Sequence, residues 1–174
     1  QCTDARDNMV TPALFAKYPT VQAFAEADVS DVEELIRSTG FFRNKAKNIV
    51  ACANALVERF GGQVPDNMED LLSLPGVGRK IANLILGDVF GKPCIVVDTH
   101  CMRITGLLGL TKHKDPAKIE MDLKKIVPAE YGGMFCHQLV EHGRNICIAR
   151  RPKCGLCGMN TVCSYYKKQT GEKA

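Results

Sequence analysis

Tryptophan is absent from this 174-residue sequence, and aromatic residues make up only 6% of it. The hydrophobic content of 45% is therefore mostly aliphatic, enough for one or two compact soluble domains. No apolar run is long enough to cross a bilayer, which excludes a membrane-spanning helix. Internal repeats and low-complexity segments are lacking, so nothing marks a solenoid or a long unstructured linker. A signal-peptide pattern is missing and the nine cysteines are an odd number, which together argue against a secreted disulfide framework. The opening Gln1-Cys2-Thr3-Asp4 has no initiator methionine and no cap, and it is expected to mark an N-terminally shortened chain.

What is present is helical periodicity almost throughout. The residues 31–38 form a short amphipathic stretch, and 44–60 places Ile49, Val50, Ala53, Leu56, Val57 and Phe60 on one stripe before Gly61-Gly62 ends it. A brief helix over 67–73 leads into a glycine turn, and a second over 79–90 is expected to bury Ile81, Leu84, Ile85 and Val89 or their neighbours. Further helices are predicted over 99–108, 116–126 and 134–145, the second opening on Pro116 at a favoured first-turn position.

The turn itself, Leu74-Pro75-Gly76-Val77-Gly78-Arg79-Lys80, joins two apolar helices as a helix-hairpin-helix. Gly76 and Gly78 allow positive φ and leave backbone N–H groups uncovered where a phosphate oxygen can approach a helix N-terminus. Lys80 falls in the first turn of that helix, where the dipole and partial burial both favour a neutral, nucleophilic amine, the logic of Schiff-base chemistry. Eighteen residues on, Asp98 follows the apolar run Cys94-Ile95-Val96-Val97. It reads equally as a catalytic carboxylate and as the N-cap of the helix over 99–108.

Near the end, Cys147-x6-Cys154-x2-Cys157-x5-Cys163 gathers four thiols inside seventeen residues. Zinc sites usually take two close cysteine pairs separated by a longer span, whereas here one central pair is flanked by single cysteines. The spacing suits an iron-sulfur cluster better, although both metals accept four thiolates. Cys2, Cys52, Cys94, Cys101 and Cys136 lie in apolar stretches and read as small buried residues. Charge is segregated toward the same end. From Arg144 onward seven cations face Glu172 alone, a net +6 against +4 for the whole sequence. Arg150, Arg151 and Lys153 share the loop between the first two thiols of the set, a basic loop suited to a nucleic-acid backbone or to offsetting thiolate charge.

Residues 74–80, then Val97-Asp98-Thr99-His100, then the four cysteines agree in order and spacing with the endonuclease III family of helix-hairpin-helix DNA glycosylases, which the chain resembles from Gln1 to about Lys168. The resemblance implies an all-α, two-domain fold: a six-helix barrel over 1–92, carrying the hairpin at 67–90 and lacking its N-terminal part, and a cluster domain over 93–174 with its loop at 147–163. It implies a [4Fe-4S] cluster on Cys147, Cys154, Cys157 and Cys163, and a monovalent cation on the hairpin carbonyls. Lys80 matches the family's nucleophile and Asp98 its essential carboxylate. The N–H groups of Gly76, Val77 and Gly78 would hold a phosphate, joined by Arg79, His100, Arg103, Arg144, Arg150, Arg151 and Lys153. Gln1 and Phe41, the latter in Thr39-Gly40-Phe41-Phe42, match wedge elements that fill the hole left by an extruded base. Either Phe41 or Phe42 could instead pack into the core. His113, His137 and His142 suggest no comparable role. The implied partner is duplex DNA with damaged pyrimidines or abasic sites, and the implied enzyme a monomeric, cytoplasmic base excision repair glycosylase and AP lyase of the prokaryotic nucleoid.

Overall fold

The structure, a computed structural model, describes residues 4–171, which leaves Gln1 and Cys2 outside the described residues. Those residues are helical without a strand, as the periodicity predicts. They divide into two compact units, the first ending at Gly78 and the second beginning at Arg79, while the domain boundary expected from the sequence lies at residue 92.

The first unit contains α1 (Asp4–Lys17), α2 (Val21–Ala25), α3 (Val29–Leu35), α4 (Phe42–Phe60) and α5 (Met68–Leu72). Its starts are set by short polar side chains. Thr20, Asp28 and Asn67 each sit in extended conformation and accept from a main-chain N–H two or three residues on, which satisfies donors that a helix start leaves open. The core joins Leu14, Tyr18, Val32, Ile36, Ala46 and Val50, with Phe42 and Ile49 packed against it. The predicted stripe of α4 is met at Val50 and Ala53, with Ala46 added one turn earlier. Helices α1 and α2 are not legible as periodic segments. α1 carries Pro12 inside it and exposes Met9 and Phe15, so its apolar face is poorly marked.

The second unit contains α6 (Arg79–Leu84), α7 (Thr99–Leu108), α8 (Pro116–Leu123), α9 (Gly132–Asn145) and α10 (Ser164–Thr170), with short 3-10 turns at Ala129–Tyr131, Cys154–Leu156 and Asn160–Val162. α6 runs directly into a π-helical turn, Ile85–Val89, closed by Phe90 N–H donating to the Ile85 carbonyl. The buried face of the segment differs from the expected one, starting within α6 ahead of this widened turn. Ile81 and Val89 are exposed, and Ala82, Asn83 and Leu86 are buried in their place. The extended run Cys94–Val97 passes through the core, surrounded by Cys101, Ile104, Ile119, Leu123, Cys136 and Leu139. Gly132 permits the N-terminus of α9 to lie directly on the carbonyl of Cys94, where any Cβ would collide. Cys94, Cys101 and Cys136 are buried as expected, while Cys52 is only partly covered.

Candidate active site and nucleic-acid interface

Pro75 and Gly76 occupy the two central positions of a β-turn in which Val77 N–H donates to the Leu74 carbonyl at 3.1 Å. Gly76 has φ +77°, the conformation required at the third position of a type II turn, with proline favoured at the second. A Cβ here would lie 2.8 Å from Asn48 Cβ of α4, so glycine is demanded by both backbone and neighbour. Gly78 differs: its φ is not positive, and a Cβ there would meet open space. Two expectations change accordingly. Only Gly76 adopts the left-handed region, and the Val77 N–H is donated within the turn.

Lys80 is the second residue of α6 and is exposed. The anticipated partial burial of its amine is therefore not found. Its neighbour Arg79, whose side chain is 42% exposed, directs Nε and Nη2 onto Glu120 of α8, at 2.6 Å and 2.9 Å. Asp98 is the N-cap of α7: its Oδ1 accepts from Cys101 N–H at 2.7 Å. The capping alternative is thus realised, and it leaves Oδ2 for chemistry. Lys80 and Asp98 share the second unit, each at the N-terminal end of a helix.

Beyond Asp98, His100 turns its buried Nδ1 against Gly143 of α9, where it has no hydrogen-bond partner; only Nε2 remains to meet a phosphate. Arg103 donates through Nη1 to Cys147 Sγ at 3.4 Å and so faces a thiol of the set rather than a bare surface. His142, which suggested nothing in the sequence, places Nε2 3.7 Å from Cys157 Sγ. Its signal was its position five residues before Cys147, in the last turn of an otherwise amphipathic helix.

Cys147, Cys154, Cys157 and Cys163 line a single cavity whose other walls include Ile104, Leu107 and Pro152. Burial pushes the Cys154 thiol up, and the charges of Cys147, Cys163 and Cys157 push it further, as expected for thiols facing one space. Among the described residues no group of three or more histidine, cysteine or acidic side chains is placed to hold a metal ion. Four thiols lining one apolar cavity are a donor set that either zinc or an iron-sulfur cluster accepts. In the loop before Cys154, Arg150, Arg151 and Lys153 are all exposed. Arg150 adopts φ +67°, rare for a side chain of its size. Lys153 N–H ties the loop back to the Ile146 carbonyl at 2.9 Å. Arg144 is exposed in the last turn of α9.

In the first unit, Phe41 is 68% exposed with φ +56° at the start of α4, whereas Phe42 packs against the core. The two aromatic alternatives are thereby separated. Beneath them Thr39 is buried with its hydroxyl oxygen unpartnered.

The family model of the HhH-GPD superfamily base excision DNA repair proteins matches residues 1–129. An endonuclease III from Synechocystis sp. is 51% identical over 164 residues, 94% of this chain and 75% of that protein. A solved endonuclease III, trapped as a covalent intermediate with DNA, superposes with a TM-score of 0.92 at 39% identity, covering 98% of this chain and 80% of the other. A thermostable thymine-DNA glycosylase superposes with a TM-score of 0.85 at 27% identity, covering 96% and 79%. The hairpin turn, the capping aspartate and the four-thiol cavity thus stand in a chain that belongs to the HhH-GPD superfamily, and within it to the endonuclease III family of DNA glycosylase/AP lyases.

Proposed function

We propose that this DNA repair glycosylase removes oxidised pyrimidines from duplex DNA and then cuts the strand through a Schiff base on Lys80. The observation that carries the reading is Lys80 itself, an exposed amine in the first turn of the helix that follows a phosphate-accessible turn. The related endonuclease III captured as a covalent intermediate with DNA supports a covalent step of this kind. A stacked base hides its glycosidic carbon, so the nucleotide is first extruded, with Phe41 filling the space it leaves. Gly76 and Gly78 N–H groups grip a neighbouring phosphate.

Lys80 Nζ attacks C1′ of the deoxyribose. The C1′–N bond breaks, the departing base takes a proton, and the sugar ring opens as nitrogen and C1′ form an imine. Asp98, through Oδ2, stabilises the positive charge that develops on the sugar and takes up the proton lost by the amine. Loss of a C2′ proton then expels the 3′ phosphate by β-elimination, and water releases Lys80. The four thiols are proposed to hold a [4Fe-4S] cluster, whose part is to fix the chain from Cys147 to Cys163 and with it Arg150, Arg151 and Lys153 against the DNA backbone. The protein is proposed to act as a monomer, with the barrel over 1–92 and the cluster domain over 93–174 of its family.

Borohydride trapping on a duplex containing thymine glycol tests this, comparing the wild type with Lys80→Gln. A covalent adduct with the first and none with the second is expected. Base release without an adduct would assign the chain to monofunctional glycosylases such as the thymine-DNA enzyme.

A further inference from the structure

Among the described residues Glu120 is the one acidic side chain in the buried polar set, 1% exposed on α8. Its two carboxylate oxygens receive four hydrogen bonds. Arg79 Nε and Asn83 Nδ2 reach Oε2 at 2.6 Å and 3.0 Å, while Arg79 Nη2 and Lys124 Nζ reach Oε1 at 2.9 Å and 2.6 Å. A carboxylate taken out of water is tolerated only when paired and fully hydrogen-bonded, and here every contact is charge-assisted or amide-donated.

The two donors contributed by α6 are four residues apart and therefore lie on one face of that helix. Lys80 lies between them in sequence, one step round the cylinder from Arg79. α6 has only six residues before its hydrogen-bonding pattern widens, and its internal bonds hold its shape but not its rotation about the axis, which contacts from outside the helix must set. A buried acceptor gripping that face at two successive turns fixes it instead.

We propose that Glu120 is a positioning residue for the nucleophile: by clamping Arg79 and Asn83 it locks the rotation of α6, and so the direction in which Lys80 presents its amine. This rests on the Schiff-base reading of Lys80. Glu120 touches neither DNA nor the sugar, and its removal should leave duplex binding intact while slowing the covalent step.

The test measures single-turnover borohydride trapping at saturating thymine-glycol duplex, alongside duplex affinity and thermal stability, for the wild type, Glu120→Gln, Asn83→Ala and Leu123→Ala. Leu123 is fully buried on the same helix but points into the hydrophobic core, and it controls for lost stability. Glu120→Gln should trap at least tenfold more slowly with affinity unchanged within twofold, Asn83→Ala should show a smaller loss in the same direction, and Leu123→Ala should melt earlier yet trap at the wild-type rate. Equal slowing by Leu123→Ala reduces the effect to stability and overturns the proposal, as does a wild-type trapping rate in folded Glu120→Gln. If Glu120→Gln does not fold, an unchanged rate in Asn83→Ala overturns it. Absence of any adduct with the wild type overturns the Schiff-base reading itself, a different failure from an adduct that forms equally fast in every variant.

Discussion

Two glycines in one turn should respond to the same substitution in opposite ways. Gly76→Ala places a methyl group on a residue at φ +77°, a conformation costing an L-residue about 1–2 kcal/mol. That methyl also lies 2.8 Å from Asn48 Cβ and 3.0 Å from its Cγ, and because the nearest atom is at the root of the side chain, Asn48 cannot simply swing away. Overpacking of this kind costs about 1–3 kcal/mol. The sum, about 3 kcal/mol, lowers Tm by about 6–12 °C in a protein of this length. Gly78→Ala meets nothing within 4 Å and needs no positive φ, so its folded state should be unaffected or slightly stabilised. Its methyl does, however, occupy the space through which a phosphate would reach the main chain. Losing a hydrogen bond to a charged group is worth about 1.5–3 kcal/mol, or about 10–100-fold in affinity. Thermal melts and titration of a fluorescent duplex at fixed salt separate the two effects. Gly78→Ala binding within twofold of the wild type would refute phosphate contact by the turn. An unshifted melt for Gly76→Ala would refute the steric argument.

Cys154→Ser should lose the visible absorbance of an iron-sulfur protein and weaken duplex binding; full affinity without the absorbance would show that the basic loop does not depend on the thiol cavity. Phe41→Gly relieves the left-handed strain, so Tm should hold or rise by the equivalent of about 1 kcal/mol while base release slows, whereas Phe42→Ala should mainly lower Tm. For Glu120, burial pushes the carboxyl up, but hydrogen bonds and charge from Arg79 and Lys124 outweigh it and hold the group below its usual range. A carboxyl depressed by folding contributes stability above its unfolded pKa, and that contribution is lost as pH falls through the lower folded value. Chemical denaturation should thus show stability dropping below about pH 4.5, with a shallower decline in Glu120→Gln.

Local chemistry made much of the site legible. Proline followed by glycine marked a turn between two helices, and a carboxylate after an apolar run offered a cap that Asp98 does form, whether or not it also serves the reaction. The four thiols announced a shared ligand by density alone. Other features escaped because they are decided by tertiary contacts. Nothing in the sequence around Glu120 distinguishes it from a solvated helical acid; its i,i+4 spacing to Lys124 was the one hint, and that usually marks an exposed pair. The engagement of Arg79 with Glu120 spans forty-one positions and is invisible to any window. Val89 lies at the end of Ile85–Val89, where the backbone does not keep the regular helical period, while Ile81 lies in regular helix and is exposed because tertiary contacts bury Ala82 and Asn83 beside it. Phe41 and Phe42, adjacent and chemically alike, are told apart only by the left-handed backbone at the first.

That π-helical turn bears on which changes in chain length the protein can absorb. A turn closed from residue i to residue i+5 holds one amino acid more than the regular helix over the same rise, and it tolerates the surplus by bulging. Removing one residue from Ile85–Val89 can therefore restore ordinary helical bonding without breaking the segment, whereas a deletion within α4 or α9 would carry every later side chain to a different face. A scan of single-residue deletions should find its most forgiving helical positions here, between Lys80 and the buried run that leads to Asp98. Homologues that differ in length inside a helix are expected to do so at the same place.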